Sequence, residues 1–203
     1  MSNLGKYQSR NPLKRVLLRR FLDRVHSLLP ESSGQPILDV GAGEGLFWRE
    51  NATAAVVGLD VRVDALMVAN DNPHFTAVAA SANSMPFTTG AFEHFVAIEI
   101  LEHLLDPNPA LKEISRVVSA GGLVSVPWEP WFSLMVLMGT GAHVRRLGRE
   151  PEHVQAFGPS TLEELLSVYF AKVRVHRVFP WLLAEVSDPV SRVEGLAGLG
   201  HLA

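Results

Sequence analysis

One feature constrains the fold of this chain more than any other: a short apolar run, Pro36-Ile37-Leu38-Asp39-Val40, that passes directly into Gly41-Ala42-Gly43-Glu44-Gly45. An apolar stretch without polar alternation reads as a strand buried on both faces, the kind found inside a parallel sheet. Glycines just past such a strand let the backbone turn sharply and approach a ligand closely, as nucleotide-binding loops do. A tight turn with no ligand is the alternative. The spacing is G-x-G-x-G, whereas the dinucleotide fingerprint G-x-G-x-x-G needs glycine where Leu46 stands, which disfavours a nicotinamide or flavin enzyme.

Around this loop the apolar pattern alternates between helix and strand periods. Residues 12–29 carry apolar positions at helical spacing with basic residues between them, and 36–40 is the first strand. A short helix over 46–51 leads to a second buried strand, 54–59, closed by Asp60, and then to a helix over 61–70. Strands follow at 76–80 and 92–100, a helix at 108–118, and a fifth strand at 123–126 after Gly121-Gly122. Downstream, 160–169 reads as a capped helix and 172–179 as a strand. This β-α alternation predicts a parallel sheet covered by helices on both faces, with ligands at the carboxyl ends of the strands. Past Ala184, Asp188-Pro189 and Gly195, Gly198 and Gly200 predict a short helix fraying into a tail over 190–203.

A chain of 203 residues, 47% of them hydrophobic, suits one domain with one full core. Within residues 1–203 the expected divisions are a cofactor core at 12–128, a substrate cap at 128–157, a C-terminal helix and strands at 158–187, and a tail at 188–203. No run is long and apolar enough to span a membrane, cysteine is absent and the first ten residues are polar, so a soluble, cytoplasmic protein is expected. A net charge of -3 argues against a general nucleic-acid binder. Basic residues do crowd the first helix (Lys14, Arg15, Arg19, Arg20, Arg24, with Lys6 and Arg10 before it) and the group Arg145, Arg146, Arg149. A solvated helix face is their ordinary explanation; an anionic substrate or weak contact with a membrane surface is the alternative. The eight histidines show no paired zinc spacing, and no metal is expected.

Asp60, at the end of the second strand, is well placed for a carboxylate to accept two hydrogen bonds from ribose hydroxyls; a helix cap is its alternative. At this point the order of segments resembles a known family. Ile37 to Gly45 followed by Val57-Gly58-Leu59-Asp60 is similar to the first two motifs of class I S-adenosylmethionine-dependent methyltransferases of the type 11-like group. Ser81-Ala82-Asn83-Ser84-Met85-Pro86-Phe87 resembles their adenine-side loop, and Phe92 to Val96, Glu99 to Pro107 and Gly121 to Val124 resemble their later segments. The resemblance covers about residues 12–128. It implies a Rossmann-like α/β fold with a mostly parallel seven-stranded sheet and S-adenosyl-L-methionine as cofactor. Gly41, Ala42, Gly43 and Gly45 would pack against the methionine part, with Asp39 fixing the loop or meeting the amino group through water. Asp60 would hold the ribose, with Val61, Ser81, Ala82 and Glu99 also on the cofactor side. The family commonly has Asp where this chain has Ser81, so the adenine contact would come from a hydroxyl or be lost.

A sulfonium methyl is already activated, so the protein aligns the acceptor and manages one proton. Candidates for that proton are Glu99 and His103 after the fourth strand and His153 downstream. His103 and Glu99 have structural alternatives as loop braces, and His153 as an exposed loop residue. Trp128, Trp131, Phe132, His143, the three arginines, Glu152 and His153 fall in one segment after the fifth strand, where relatives place their substrate cap. Met135, Leu137 and Met138 add an apolar stripe that is more often core than ligand surface. Tyr7 enters only because relatives fold their N-terminal segment over the cofactor. The expected function is methyl transfer to an O or N atom of a small molecule, such as a glycosylated natural product or a lipid-linked metabolite. A non-catalytic or partner-dependent binding module of the same fold is the alternative.

Overall fold

The computed structural model describes residues 11–29, 34–49, 55–134 and 154–190. Helix α1 (Pro12–Leu28) starts where its sequence says it should: the Asn11 side chain accepts from the Leu13 and Lys14 N–H groups, and Pro12 occupies the first turn, where it has no hydrogen bond to lose. It buries Phe21 and Val25 against the sheet. Strand β1 (Ile37–Val40) is buried throughout, as an interior parallel strand must be. Strands β2 (Val56–Asp60), β3 (Phe75–Ala79) and β4 (Phe92–Ile98) follow, with α2 (Val63–Ala69) between β2 and β3. Helix α3 (Asn108–Val117), β5 (Val118–Pro127), α4 (Pro159–Ser167), β6 (Phe170–Val178) and β7 (Trp181–Pro189) complete the order.

The sheet has seven strands in the order β3-β2-β1-β4-β5-β7-β6. Strands β1 to β5 are parallel, and the β7 pairings with β5 and with β6 are antiparallel. Helices cover both faces. One apolar layer joins Phe21 and Val25 of α1 and Leu66 and Ala69 of α2 to Ile37, Val96, Leu123 and Leu183 of the sheet. The other joins Leu111 and Ile114 of α3 and Leu162 and Leu166 of α4 to Leu38, Phe95, Val124 and Leu182. Because β1 and β4 are neighbours although β2 and β3 intervene in sequence, the crossover leaves a crevice at their carboxyl ends, where open α/β sheets bind ligands.

Three differences from the sequence reading have physical causes. The expected helix after the glycines is one 3-10 turn, Leu46–Trp48, so little helix dipole faces the loop. Gly121 and Gly122 do not precede β5 but lie inside it. A Cβ on Gly121 would sit 2.0 Å from the Val186 carbonyl oxygen of β7, and one on Gly122 2.0 Å from that of Phe95 on β4. These glycines let three backbones close up, a use of strand glycine that looks like a breaker in sequence. Finally, β7 runs to Pro189, through the Asp188-Pro189 pair that reads as a chain break. Asp188 has a φ of 58°, and its carboxylate pairs with Lys172 at 2.8 Å, which anchors the end of β7 to β6.

Candidate functional site

The glycine loop is built so that only glycine serves. Gly41, Gly43 and Gly45 have φ of 76°, 54° and 62°, the left-handed region that costs an L-residue about 1–2 kcal/mol. A Cβ on Gly41 would lie 2.6 Å from Ile100 Cδ1, and one on Gly45 2.9 Å from the Ala69 Cβ. The Gly41 and Ala42 N–H groups both donate to the Leu59 carbonyl, at 2.8 and 3.1 Å, so the loop leaves β1 pinned to the end of β2.

Asp60 completes that junction. Its Oδ2 accepts from the Gly43 N–H at 2.8 Å and its Oδ1 from the Arg62 N–H at 2.8 Å, with its side chain only 12% exposed. A carboxylate offers about four acceptor positions, so two remain after both backbone bonds. Helix α2 follows Arg62 with no side-chain cap, so Asp60 is not its helix cap but braces the turn before it and the glycine loop. Beside it Val61 is 67% exposed, an apolar surface at the rim of the sheet. The Ala80 N–H donates to the Asp60 carbonyl at 3.1 Å, which brings the next loop alongside. In that loop Ala82 is buried, whereas Ser81 is exposed and its hydroxyl accepts from the Asn83 N–H at 3.2 Å. Glu113 and Arg116 of α3 clamp the Met85-Pro86-Phe87 turn: Glu113 Oε2 accepts from the Met85 N–H, and Arg116 donates to the Phe87 and Met85 carbonyls. The Arg116 bond holds the Glu113 carboxyl below the usual carboxylate range.

Asp39 faces inward. It is buried at the end of β1 and accepts a 2.7 Å hydrogen bond from the Trp48 indole N–H. Desolvation raises its pKa to about 7, the Trp48 hydrogen bond opposes the rise, and the nearby Asp60 charge adds to it. Trp48, itself buried, is a participant that sequence reasoning missed. The cue was an indole nine residues after an acid at a loop too short for a full helix.

On the β4 side, Glu99 has a φ of 57°, although it is neither glycine nor asparagine. Its N–H donates to the Ser125 carbonyl at 3.1 Å and lies 3.2 Å from the Ser125 hydroxyl, both on the neighbouring β5. A long side chain held in the left-handed region costs about 1–3 kcal/mol and is a recurring mark of functional sites. The 3-10 turn Leu101–His103 follows, with Glu102 buried and His103 one-third exposed; their side chains approach at 4.0 Å. The Glu102 carbonyl accepts from the Val154 and Gln155 N–H groups, at 2.9 and 3.2 Å, so this turn is tied to the chain entering α4. His153, with His143, Arg145, Arg146, Arg149, Glu152 and the Met135–Met138 stripe, lies outside the described residues, as do Tyr7, Lys6 and Arg10.

The strand order therefore assembles one rim from four places: the glycine loop after β1, Asp60 and Val61 after β2, Ser81 and Ala82 after β3, and Glu99 with His103 after β4. This arrangement fits S-adenosylmethionine in three respects: a glycine cradle that a Cβ on Gly41 or Gly45 would fill, a carboxylate at Asp60, and an exposed apolar shelf at Val61. A cleft of about 560 Å³ elsewhere is lined by His94, Gly121, Lys172, Arg174 and Glu185, at the opposite, amino ends of β4 and β5. It contains none of the rim residues.

Residues 38–126 match the family model described as a methyltransferase domain. Over these residues the chain is similar to class I S-adenosylmethionine-dependent methyltransferases. It is 33% identical over 115 residues to the ubiquinone biosynthesis O-methyltransferase of Chromobacterium violaceum, covering 51% of this chain and 47% of that protein. It is also 28% identical over 117 residues to the 27-O-demethylrifamycin SV methyltransferase of Amycolatopsis mediterranei, covering 53% and 43%. The chain thus spans about half the length of these curated relatives. Among solved structures, an S-adenosylmethionine-dependent methyltransferase from Mesorhizobium loti superposes with a TM-score of 0.60 at 14% identity, covering 82% of this chain and 96% of that one. The [4+2]-cyclase SpnF superposes with a TM-score of 0.58 at 23% identity, covering 78% and 58%. At such identities the likeness establishes the fold alone, and the cyclase shows why activity must be argued from the site.

Proposed function

We propose that this protein transfers the methyl group of S-adenosylmethionine to an oxygen or nitrogen atom of a small molecule. The observation that carries the reading is the Gly43 N–H to Asp60 hydrogen bond, which ties the glycine cradle to a carboxylate with free acceptor positions. Asp60 would hold the ribose, Val61 and Ala82 would flank the adenine, and Gly41, Ala42, Gly43 and Gly45 would line the methionine part with Asp39 beneath. When bound, the cofactor supplies an electrophilic sulfonium methyl group.

The chain's own task is then to orient the acceptor and receive its proton. Glu99, in a left-handed conformation just past β4, and His103, on the turn that follows, would be the groups to take a proton from an approaching hydroxyl. The relatives named as a ubiquinone biosynthesis O-methyltransferase and a 27-O-demethylrifamycin SV methyltransferase support an oxygen acceptor on a small molecule, such as a glycosylated or lipid-linked metabolite. A binding module without methyl transfer is the second reading, favoured by two particulars: Ser81 in place of the usual acid, and the single 3-10 turn behind the loop. No helix among the described residues is long and apolar enough to cross a membrane.

The test is transfer from methyl-labelled cofactor to a panel of phenols, sugars and lipid-linked acceptors. Labelled small molecules support the proposal. Labelling confined to protein or RNA refutes the small-molecule reading, and tight cofactor binding with no transfer to any acceptor favours the binding module.

A further inference from the structure

The sheet ends at β6, whose one strand neighbour among the described residues is β7. Half of the backbone N–H and C=O groups of such an edge strand point away from the sheet, where they can pair with a further strand. Along this edge runs an open groove of about 840 Å³, lined by the six consecutive residues 173–178 of β6. Six residues of strand span about 20 Å. Two helices wall the groove: Arg24 of α1 stands on one side, and Ser160 and Glu163 of α4 on the other. Arg24 is also tied to the strand, since its Nη2 lies 3.2 Å from His176 Nδ1 and His176 Nε2 meets the Glu185 carboxylate of β7.

The groove is basic. Arg24, Arg174, Arg177 and His176 line it against one carboxylate, Glu163. Edge position alone does not call for this charge, because β3, at the other end of the sheet, is Phe75-Thr76-Ala77-Val78-Ala79 and carries none. Cations on an edge keep like strands apart: a second copy of β6 would bring its own Arg174 and Arg177 alongside these. The same cations draw in a strand of opposite charge.

We propose that the β6 edge is a docking surface for an extended acidic segment of a partner protein, which adds to the sheet as a further strand between α1 and α4. Main-chain hydrogen bonds to β6 supply the affinity, and the arginines select the charge. Successive side chains of the added strand face opposite sides, so alternate acidic residues meet Arg24 and Arg174 on the α1 side or Arg177 on the α4 side. Methyl transfer plays no part in this contact.

The probe is an acetylated six-residue peptide of alternating glutamate and threonine, titrated into the full chain. One peptide is expected to bind per chain, and hydrogen exchange at alternate amides of β6 is expected to slow about tenfold or more in its presence. A fully N-methylated peptide of the same sequence keeps the charge without the ladder donors, and a lysine–threonine peptide keeps the ladder with the wrong charge. Each is expected to bind at least about tenfold more weakly, and Arg174→Glu combined with Arg177→Glu is expected to weaken the acidic peptide by about tenfold. The proposal is overturned if β6 exchange does not respond, if the methylated peptide binds as tightly as its parent, or if the double variant binds the parent unchanged. It is equally overturned if all the β6 amides are already protected in the free monomer, or if sedimentation shows a dimer that the double variant abolishes. The first result would place the chain's own residues in the groove, and the second a second copy. Should the double variant fail to fold, the wild-type exchange response to the three peptides decides.

Discussion

The two ends of the rim are made differently. From β3 to β1 it is made of backbone: three left-handed glycines, N–H groups donated to Leu59 and Asp60, and small side chains. From β5 to β7 it is made of large rings, Trp128, Trp131, Phe132 and Trp181. A surface of fixed backbone dipoles suits a ligand that is always the same. An exposed ring such as Trp131 can be changed without disturbing the sheet, so that end suits a partner that differs between relatives.

The backbone-built end of the rim is most sensitive at Gly41. Gly41→Ala forces a left-handed L-residue whose Cβ meets Ile100, so S-adenosylhomocysteine affinity measured by calorimetry is expected to fall by about 100-fold or more, with about 2 kcal/mol of stability lost. Asp60→Ala removes the acceptor for both the Gly43 and Arg62 N–H groups together with the ribose contact. An affinity loss of about 50-fold and a stability loss of about 1–2 kcal/mol are expected, the latter from denaturant midpoints.

Asp39 sharpens the contrast through pH. Its carboxyl titrates near 7 when folded against an ordinary 3.8, so between those values the folded state holds the extra proton. Its contribution to stability is therefore greatest at or below the lower value and is lost as pH rises toward 7. Asp39→Asn keeps an acceptor for Trp48 without the charge, and is expected to flatten that loss and to exceed the wild type by about 2 kcal/mol at pH 8. A wild type whose stability does not fall between pH 4 and 7 relative to the variant would contradict the buried acid.

The smallest effect belongs to Glu99. Asparagine tolerates the left-handed region better than glutamate, so Glu99→Asn is expected to raise the melting temperature by a few degrees, equivalent to about 0.5–1 kcal/mol. A drop in stability instead would show that the Glu99 side chain braces the turn.

What was legible in the sequence divides along the same line. Strands β1 to β4, the glycine loop and Asp60 could be read because buried strands are continuously apolar and because glycine has few substitutes at positive φ. The Asp39–Trp48 pair could not be read, since it joins a strand end to a turn that helical periodicity does not describe. Strand β7 was hidden because Glu185 and Ser187 interrupt its apolar run and Asp188-Pro189 looks terminal. Gly121-Gly122 signalled a turn because nothing local reveals that β4 and β7 press on either side.

The central claim, that the glycine loop and Asp60 together form one cofactor cradle, is tested most directly by calorimetric titration of S-adenosylhomocysteine into the wild-type protein and Asp60→Ala. One molecule is expected to bind per chain, with a loss of about 50-fold in the variant. Equal binding by both proteins, or no binding by the wild type, would contradict it.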